Sequence, residues 1–332
     1  MTEKENKIDF LAIGDTVVDA FIKLKEANIV GAPDTSEYKI CMQFADKVPY
    51  EEVLILPAVG NAANAAVSAA RLGLASALVS NIGDDENGKD CLKTLQNNKV
   101  KTDFIKINQG IKTNYHYVLW YPPERTILIK HEKYDYSLPE VGEPKWIYFS
   151  SISETAFPFH NIVAEYLENH PNIKLAFQPG KNEIKLGKEK LIKLYDKSEF
   201  FFCNVEEAEK ILGIENVDAV ELLKKIHELG PKNIVITDGP KGAYAYDGTN
   251  NWFIKPYPDP KPPYERTGAG DAFASTVVSA FILGKTLPEA LAWGAVNSMS
   301  VVQKVGAQAG LLSQSEIEAL LKNAPDYQAK KI

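Results

Sequence analysis

Apolar runs of strand length alternate with stretches whose apolar residues recur at helical spacing, and from Trp146 onward the alternation is regular. "WIYFSSI", "IKLAFQP", "EFFFCN" and "NIVITDG" are nearly continuous apolar segments, while "HNIVAEYLENH", "KEKLIKLYDKS" and "EEAEKILG" carry a helical period. Strands that are apolar on both faces and separated by helices predict an α/β fold, with a mainly parallel sheet covered by helices on both faces. "GAYAYDGTNNWFI" reads as a hairpin, and two helical patterns close the chain. The first half has the same frame in "DFLAIGD" (strand), "AANAAVSAARLG" (helix, closed by Gly73), "ASALVSNIG" (strand) and "DENGKDCLKTLQNN" (helix). Two groups of short segments interrupt it: "DAFIKL" and "EYKICMQFA", then "TDFIKI", "TNYHYVLWY" and "RTILIKHE". Their alternation predicts a half-exposed accessory β-sheet. The expected organisation is a single domain over residues 1–332, with a small lid inserted from about residues 16–56 and 102–135. The lysines of "KNEIKLGKEKLIK" read as a solvated helix face.

Composition narrows the partners. A chain of 332 residues that is 45% hydrophobic can bury a large core. Its formal charge of −7, with basic residues scattered, argues against nucleic acid. An anionic ligand therefore needs local backbone dipoles, a metal or placed cations. Cys41, Cys91 and Cys203 form no CxxC or Cys/His pattern, which suits a reducing, cytoplasmic setting. "MTEKENKIDF" lacks the apolar region of a secretory signal. The weakly polar stretch "ILPAVGNAANAAVSAARLGLASALVSNIG" is interrupted by Asn61, Asn64 and Arg71, so it reads as a buried helix between two strands and not as a membrane span.

The sharpest chemistry lies in "ERTGAGDAFAST", where glycines open an otherwise good Ala-rich helix. Glycine costs about 0.8–1 kcal/mol relative to alanine in a helix interior. A helix start presents free N–H groups with partial positive charge, and glycines let an anion approach them. Thr267, Gly268, Ala269 and Gly270 thus form a candidate phosphate cradle, and Asp271 beside it is placed to take a proton from an attacking hydroxyl. The later "FILGKT" imitates the end of a Walker A loop, but Ser279 stands where that pattern needs glycine. "GPKGAY" lacks the G-x-G-x-x-G spacing of a dinucleotide site.

Read together, "GNAANAAVSAARLG" at 60–73 and "ERTGAGDAF" at 265–273 resemble the two signatures of the ribokinase-like, or PfkB, family of carbohydrate and nucleoside kinases. The resemblance implies an ATP-dependent kinase that transfers the γ-phosphoryl group to a hydroxyl of a small sugar, with a nucleoside as the alternative acceptor. A sensor that keeps the fold without catalysis is the rival of a different class. By the same resemblance, Asp271 is the catalytic base and the amides of Gly268, Ala269 and Gly270 stabilise the transferred phosphoryl. Asp19 and Asn64 bind acceptor hydroxyls, with Gly60 and Asn61 on the same turn. A Gly-Gly pair is common at this turn, where the chain has Val59–Gly60. Asn204 and Glu207 in "CNVEEAEKILG" match a motif tied to magnesium, mostly through water, although the same letters would serve a capping box. Thr237, Gly239, Thr267 and Asn297 match nucleotide-binding positions. Tyr115, Tyr117 and Trp120 are candidates to stack on a base, and Arg125 and His131 to touch an anionic acceptor. The same resemblance implies a homodimer formed through the lid and offers a monovalent-cation site near Glu265, while no residue in the sequence chooses ATP over ADP as donor.

Overall fold

The computed structural model describes residues 7–31, 38–122 and 124–332. The chain begins with β1 (Phe10–Ile13), β2 (Val17–Leu24), β3 (Asn28–Val30), β4 (Lys39–Cys41), β5 (Tyr50–Val59), α1 (Asn61–Arg71), β6 (Ser76–Gly83), α2 (Glu86–Asn97) and β7 (Ile105–Asn108). It continues with β8 (Tyr115–Tyr121), β9 (Glu124–Leu128), β10 (Trp146–Phe149), α3 (Phe157–Asn169), β11 (Lys174–Phe177), α4 (Lys181–Leu186), α5 (Lys188–Lys197), β12 (Ser198–Asn204), α6 (Val205–Leu212), α7 (Ala219–His227) and β13 (Asn233–Thr237). β14 (Ala243–Tyr246), β15 (Asn251–Ile254), α8 (Ala269–Ile282), α9 (Leu287–Val301), α10 (Gln314–Lys322) and β16 (Lys330–Lys331) complete it.

The main sheet runs β16-β15-β14-β13-β12-β11-β10-β1-β6-β7. Pairing is parallel from β7 through β13 and antiparallel from β13 to β16. Side chains alternate across a strand, and the core follows that period. Phe10 and Ala12 of β1, with Phe200 and Phe202 of β12, pack on the face that carries α1, α8 and α9. Leu11, Ile13, Phe201 and Cys203 enter the cluster on the opposite face with α3, α5 and α7. Both faces are therefore covered, which is why the strands read as continuous apolar runs.

The lid is a four-stranded sheet in the order β5-β2-β8-β9, and β3 and β4 form a separate ribbon. Residues 32–37 of the expected lid lie outside the described residues. The lid's own core is small: Phe21, Val118 and Trp120, with Leu56, Ile127 and Val305 against them. One expectation needs correction, and two further segments are resolved in more detail. "TDFIKI" does not join the lid, because β7 pairs in parallel with β6 at the edge of the main sheet, held there by Asn108 Nδ2 donating to Asn81 Oδ1 and Ile82 O. The lysine-rich stretch is two helices, broken where Gly187 takes φ 94°. "DAVELLKKIHELG", unassigned from the sequence, is α7, capped by Asp218 accepting from Val220 N and Glu221 N.

Candidate active site

The two signature segments meet because α1 packs on α8 through small side chains, with Ser68 Oγ 3.4 Å from Thr276 Oγ1. Gly60 turns the chain from β5 into α1 at φ 108°, and a Cβ there would stand 2.7 Å from Asp15 O. Asn61 and Asn64, three apart on one face of α1, are thereby aimed at the start of α8. Asn61 Nδ2 donates to Asp271 Oδ1 at 2.8 Å and Asn64 Nδ2 to Asp271 Oδ2 at 2.9 Å. Gln178, just beyond β11, adds a third amide at 3.4 Å from Oδ1, and the Tyr148 hydroxyl donates to its carbonyl oxygen. Burial raises the Asp271 carboxyl above its ordinary 3.8, and the three amides pull in the opposite direction. The result is a desolvated carboxylate whose acceptor geometry is fixed by neutral donors.

Asp271 lies on the wall of a cavity of about 1110 Å³ shared by the lid and the ends of the parallel strands. Asp19, Gly60, Asn61, Asn64, Asn204, Glu207, Thr237 and Thr267 through Asp271 all line it. The glycines of the cradle have different reasons. Gly268 caps α8 at φ 81°, and a Cβ on it would fall 2.2 Å from Ala307 Cβ, so protein packing demands glycine there. A Cβ on Gly270 would meet nothing within 4 Å, leaving open space before the first amides of α8. Those amides have no partner within their helix, and the residues that carry them line the cavity.

On the lid side, Asp19 of β2 and His116 of β8 are register partners, with His116 Nδ1 3.3 Å from Asp19 Oδ1. Asp19 Oδ1 and His116 Nε2 are both buried without a hydrogen bond. A second couple stands beside it, with His131 Nδ1 2.9 Å from Asp15 Oδ2, Tyr136 donating to Asp15 Oδ1, and the two imidazoles 5.2 Å apart. Arg125 Nε donates to Thr267 Oγ1 at 3.0 Å, tying β9 to the cradle. Glu265 is fully buried and accepts from Thr267 N, Thr267 Oγ1 and Gly306 N.

Asn204 and Glu207 satisfy the capping box reciprocally, Glu207 N to Asn204 Oδ1 at 2.8 Å and Asn204 N to Glu207 Oε2 at 2.9 Å. Glu207 nevertheless lines the cavity, and burial, with Asp271 nearby, raises its carboxyl above the ordinary 4.5. Among the described residues no group of three or more His, Cys, Asp or Glu side chains gathers as a metal cluster. One cavity carboxylate is still the kind of donor set that magnesium uses when phosphates and water complete its shell.

Several sequence candidates are not brought to the cavity. Asn297 is fully buried in α9, donating to Thr276 Oγ1 at 2.7 Å and accepting from Leu312 N at 2.9 Å, so it ties α8, α9 and the C-terminal loop and does not line the cavity. Gly239 sits in the turn after β13, outside the cavity lining that includes Thr237. Tyr115, Tyr117 and Trp120 do not line the cavity: Tyr117 is exposed on the lid and Trp120 fills the lid core. "FILGKT" ends α8, with Gly284 at φ 85° and Thr286 in a capping box with Glu289 that starts α9, so it holds no phosphate loop. The sequence reading passed over Asp15, His116 and Gln178. Asp15 carried a signal in the "GD" that closes the first strand, and His116 in the alternation of β8; Gln178 had none.

A family model described as pfkB family carbohydrate kinase matches residues 53–314. The probable fructokinase-4 of Arabidopsis thaliana is 25% identical over 295 residues, covering 79% of this chain and 87% of its own length. The ribokinase of Bacillus subtilis is 28% identical over 269 residues, covering 79% and 87%. The fold is similar to that of Arabidopsis thaliana ribokinase complexed with ribose and ATP, with a TM-score of 0.78 at 18% identity over 95% of this chain and 99% of that one.

Proposed function

The chain belongs to the pfkB family of carbohydrate kinases, and from that premise we propose that it transfers the γ-phosphoryl group of ATP to a hydroxyl of a small, uncharged sugar. The observation that carries the reading is Asp271, a buried carboxylate held by three amides beside the open amides of α8. In this role Asp271 accepts the proton of the acceptor hydroxyl as it attacks, and the amides of Gly268, Ala269 and Gly270 offset charge on the moving phosphoryl group. Asp19 and His116, each with a buried polar atom left without a partner, are placed to exchange hydrogen bonds with the sugar's other hydroxyls. An uncharged acceptor is favoured because Arg125, the lid arginine that lines the cavity, is already engaged by Thr267 Oγ1 at 3.0 Å and stands 3.8 Å from Glu265. Magnesium, held by Glu207 through water and by the donor phosphates, would supply charge neutralisation. Thr237 and Asn204, which line the same cavity, would contact the donor.

The exposed apolar residues of the lid, Val53, Ile55, Tyr117 and Leu128, support a homodimer formed through that sheet. The three free thiols support a reducing, cytoplasmic setting, and no helix among the described residues is long and apolar enough to cross a membrane. The test is magnesium-dependent ADP formation across pentoses, hexoses, sugar acids, sugar phosphates and nucleosides, in wild type and Asp271→Asn. Turnover of a neutral sugar that is lost in the variant supports the proposal. Sugar binding without turnover from any donor would replace it with a sensor.

A further inference from the structure

The direction in which Asn64 presents its amide is set from behind. We propose that Gln308 is a positioning residue for the base, acting through Asn64; this rests on Asp271 being the base. Gln308 Nε2 donates to Ala58 O at 2.7 Å and to Asn64 Oδ1 at 3.0 Å. A backbone carbonyl can only accept, so Ala58 fixes which end of the Gln308 carboxamide points inward. Gln308 then presents an amine to Asn64, which must answer with its oxygen. The Asn64 amine is left for Asp271 Oδ2. Asn64 is 5% exposed, so a flipped amide would set oxygen against carboxylate and amine against amine with little water to relieve either.

The surroundings hold this arrangement at both ends. Ala58 sits at φ 59°, left-handed backbone that alanine rarely adopts, with its N–H on Cys91 Sγ and its carbonyl turned to Gln308. Arg71, at the end of the helix that carries Asn64, donates to the carbonyls of Gln308 and Leu311 at 2.7 and 2.9 Å and so pins the loop. Three segments distant in sequence thus converge to point one amide at one carboxylate oxygen.

The experiment is the pH dependence of kcat at saturating sugar and ATP for wild type, Gln308→Met, Asn64→Leu and the double variant. The Asn64 bond favours the ionised form of Asp271, and only the carboxylate can take the proton. Weakening that bond therefore moves the acid limb to higher pH. Gln308→Met should shift the limb up by about one unit and lower kcat about tenfold, with KM for ATP unchanged, and it should add nothing in the Asn64→Leu background. A purely structural Gln308 would lower the melting temperature without moving the limb, or would cost the same in both backgrounds; either result overturns the proposal. If Gln308→Met does not fold, Gln308→Asn, which ends one methylene short of Asn64, carries the same prediction. Asp271→Asn separates the two claims: retained activity there removes the base, whereas lost activity with an unmoved Gln308→Met profile removes only the positioning role.

Discussion

The floor and the lid of the cavity are built differently. The floor, where α1 meets α8, belongs to the large core beneath the main sheet, and its one carboxylate is held by three neutral amides. The lid rests on a core of three fully buried side chains, and its polar groups are His–Asp couples, two of whose atoms have no partner. A rigid floor with satisfied donors suits chemistry that is the same for every acceptor. A thin lid with unmet hydrogen-bonding capacity suits recognition of whichever acceptor enters.

The contrast would be broken most strongly at the base. Asp271→Ala should lower kcat about 10³-fold while sugar binding persists, as followed by calorimetry, because the lid contacts remain. Next is Trp120→Ala, which removes most of the lid core and should cost about 3–5 kcal/mol of local stability. Its signature is a raised KM for the sugar and uncoupled ATP hydrolysis, with a smaller change in the melting of the main sheet, read by hydrogen exchange. Arg125→Ala removes the latch from lid to cradle and should raise the sugar KM about fivefold, the effect of one hydrogen bond worth about 1 kcal/mol. The smallest effect is chemical. Burial pushes the Cys91 thiol up to about 12 and Cys203 well above its ordinary value, so a thiol reagent should label exposed Cys41 alone in the native protein, with little loss of activity.

The floor was the more legible region in the sequence. Glycines at the start of an Ala-rich helix run against propensity, which is a local signal, whereas Asn61 and Asn64 entered through the resemblance at the acceptor turn and the structure instead turns both amides to Asp271. Gln178 gave no such signal, since it is one polar residue after a buried strand and its role depends on Asp271, far along the chain. Asn297 misled for the same reason in reverse. The resemblance offered it as a nucleotide contact, yet its partner Thr276 lies one helix earlier in a fully buried seam. In the lid, alternation showed that a half-exposed sheet exists but not which parity looks inward. His116, Val118 and Trp120 take the inner side, and only His116 reaches the cavity, which displaced the aromatic residues expected there. "TDFIKI" has the same alternation as a lid strand, and only its pairing with β6 assigns it to the main sheet.

The most direct test of Asp271 as a desolvated, amide-held base is the pH profile of kcat for wild type with a turned-over sugar. Desolvation destabilises the ionised form, so activity should rise with pH through an acid limb that lies above 3.8 and is absent from any residual activity of Asp271→Asn. A rate that stays flat down through 3.8, or an identical limb in the variant, would contradict the account.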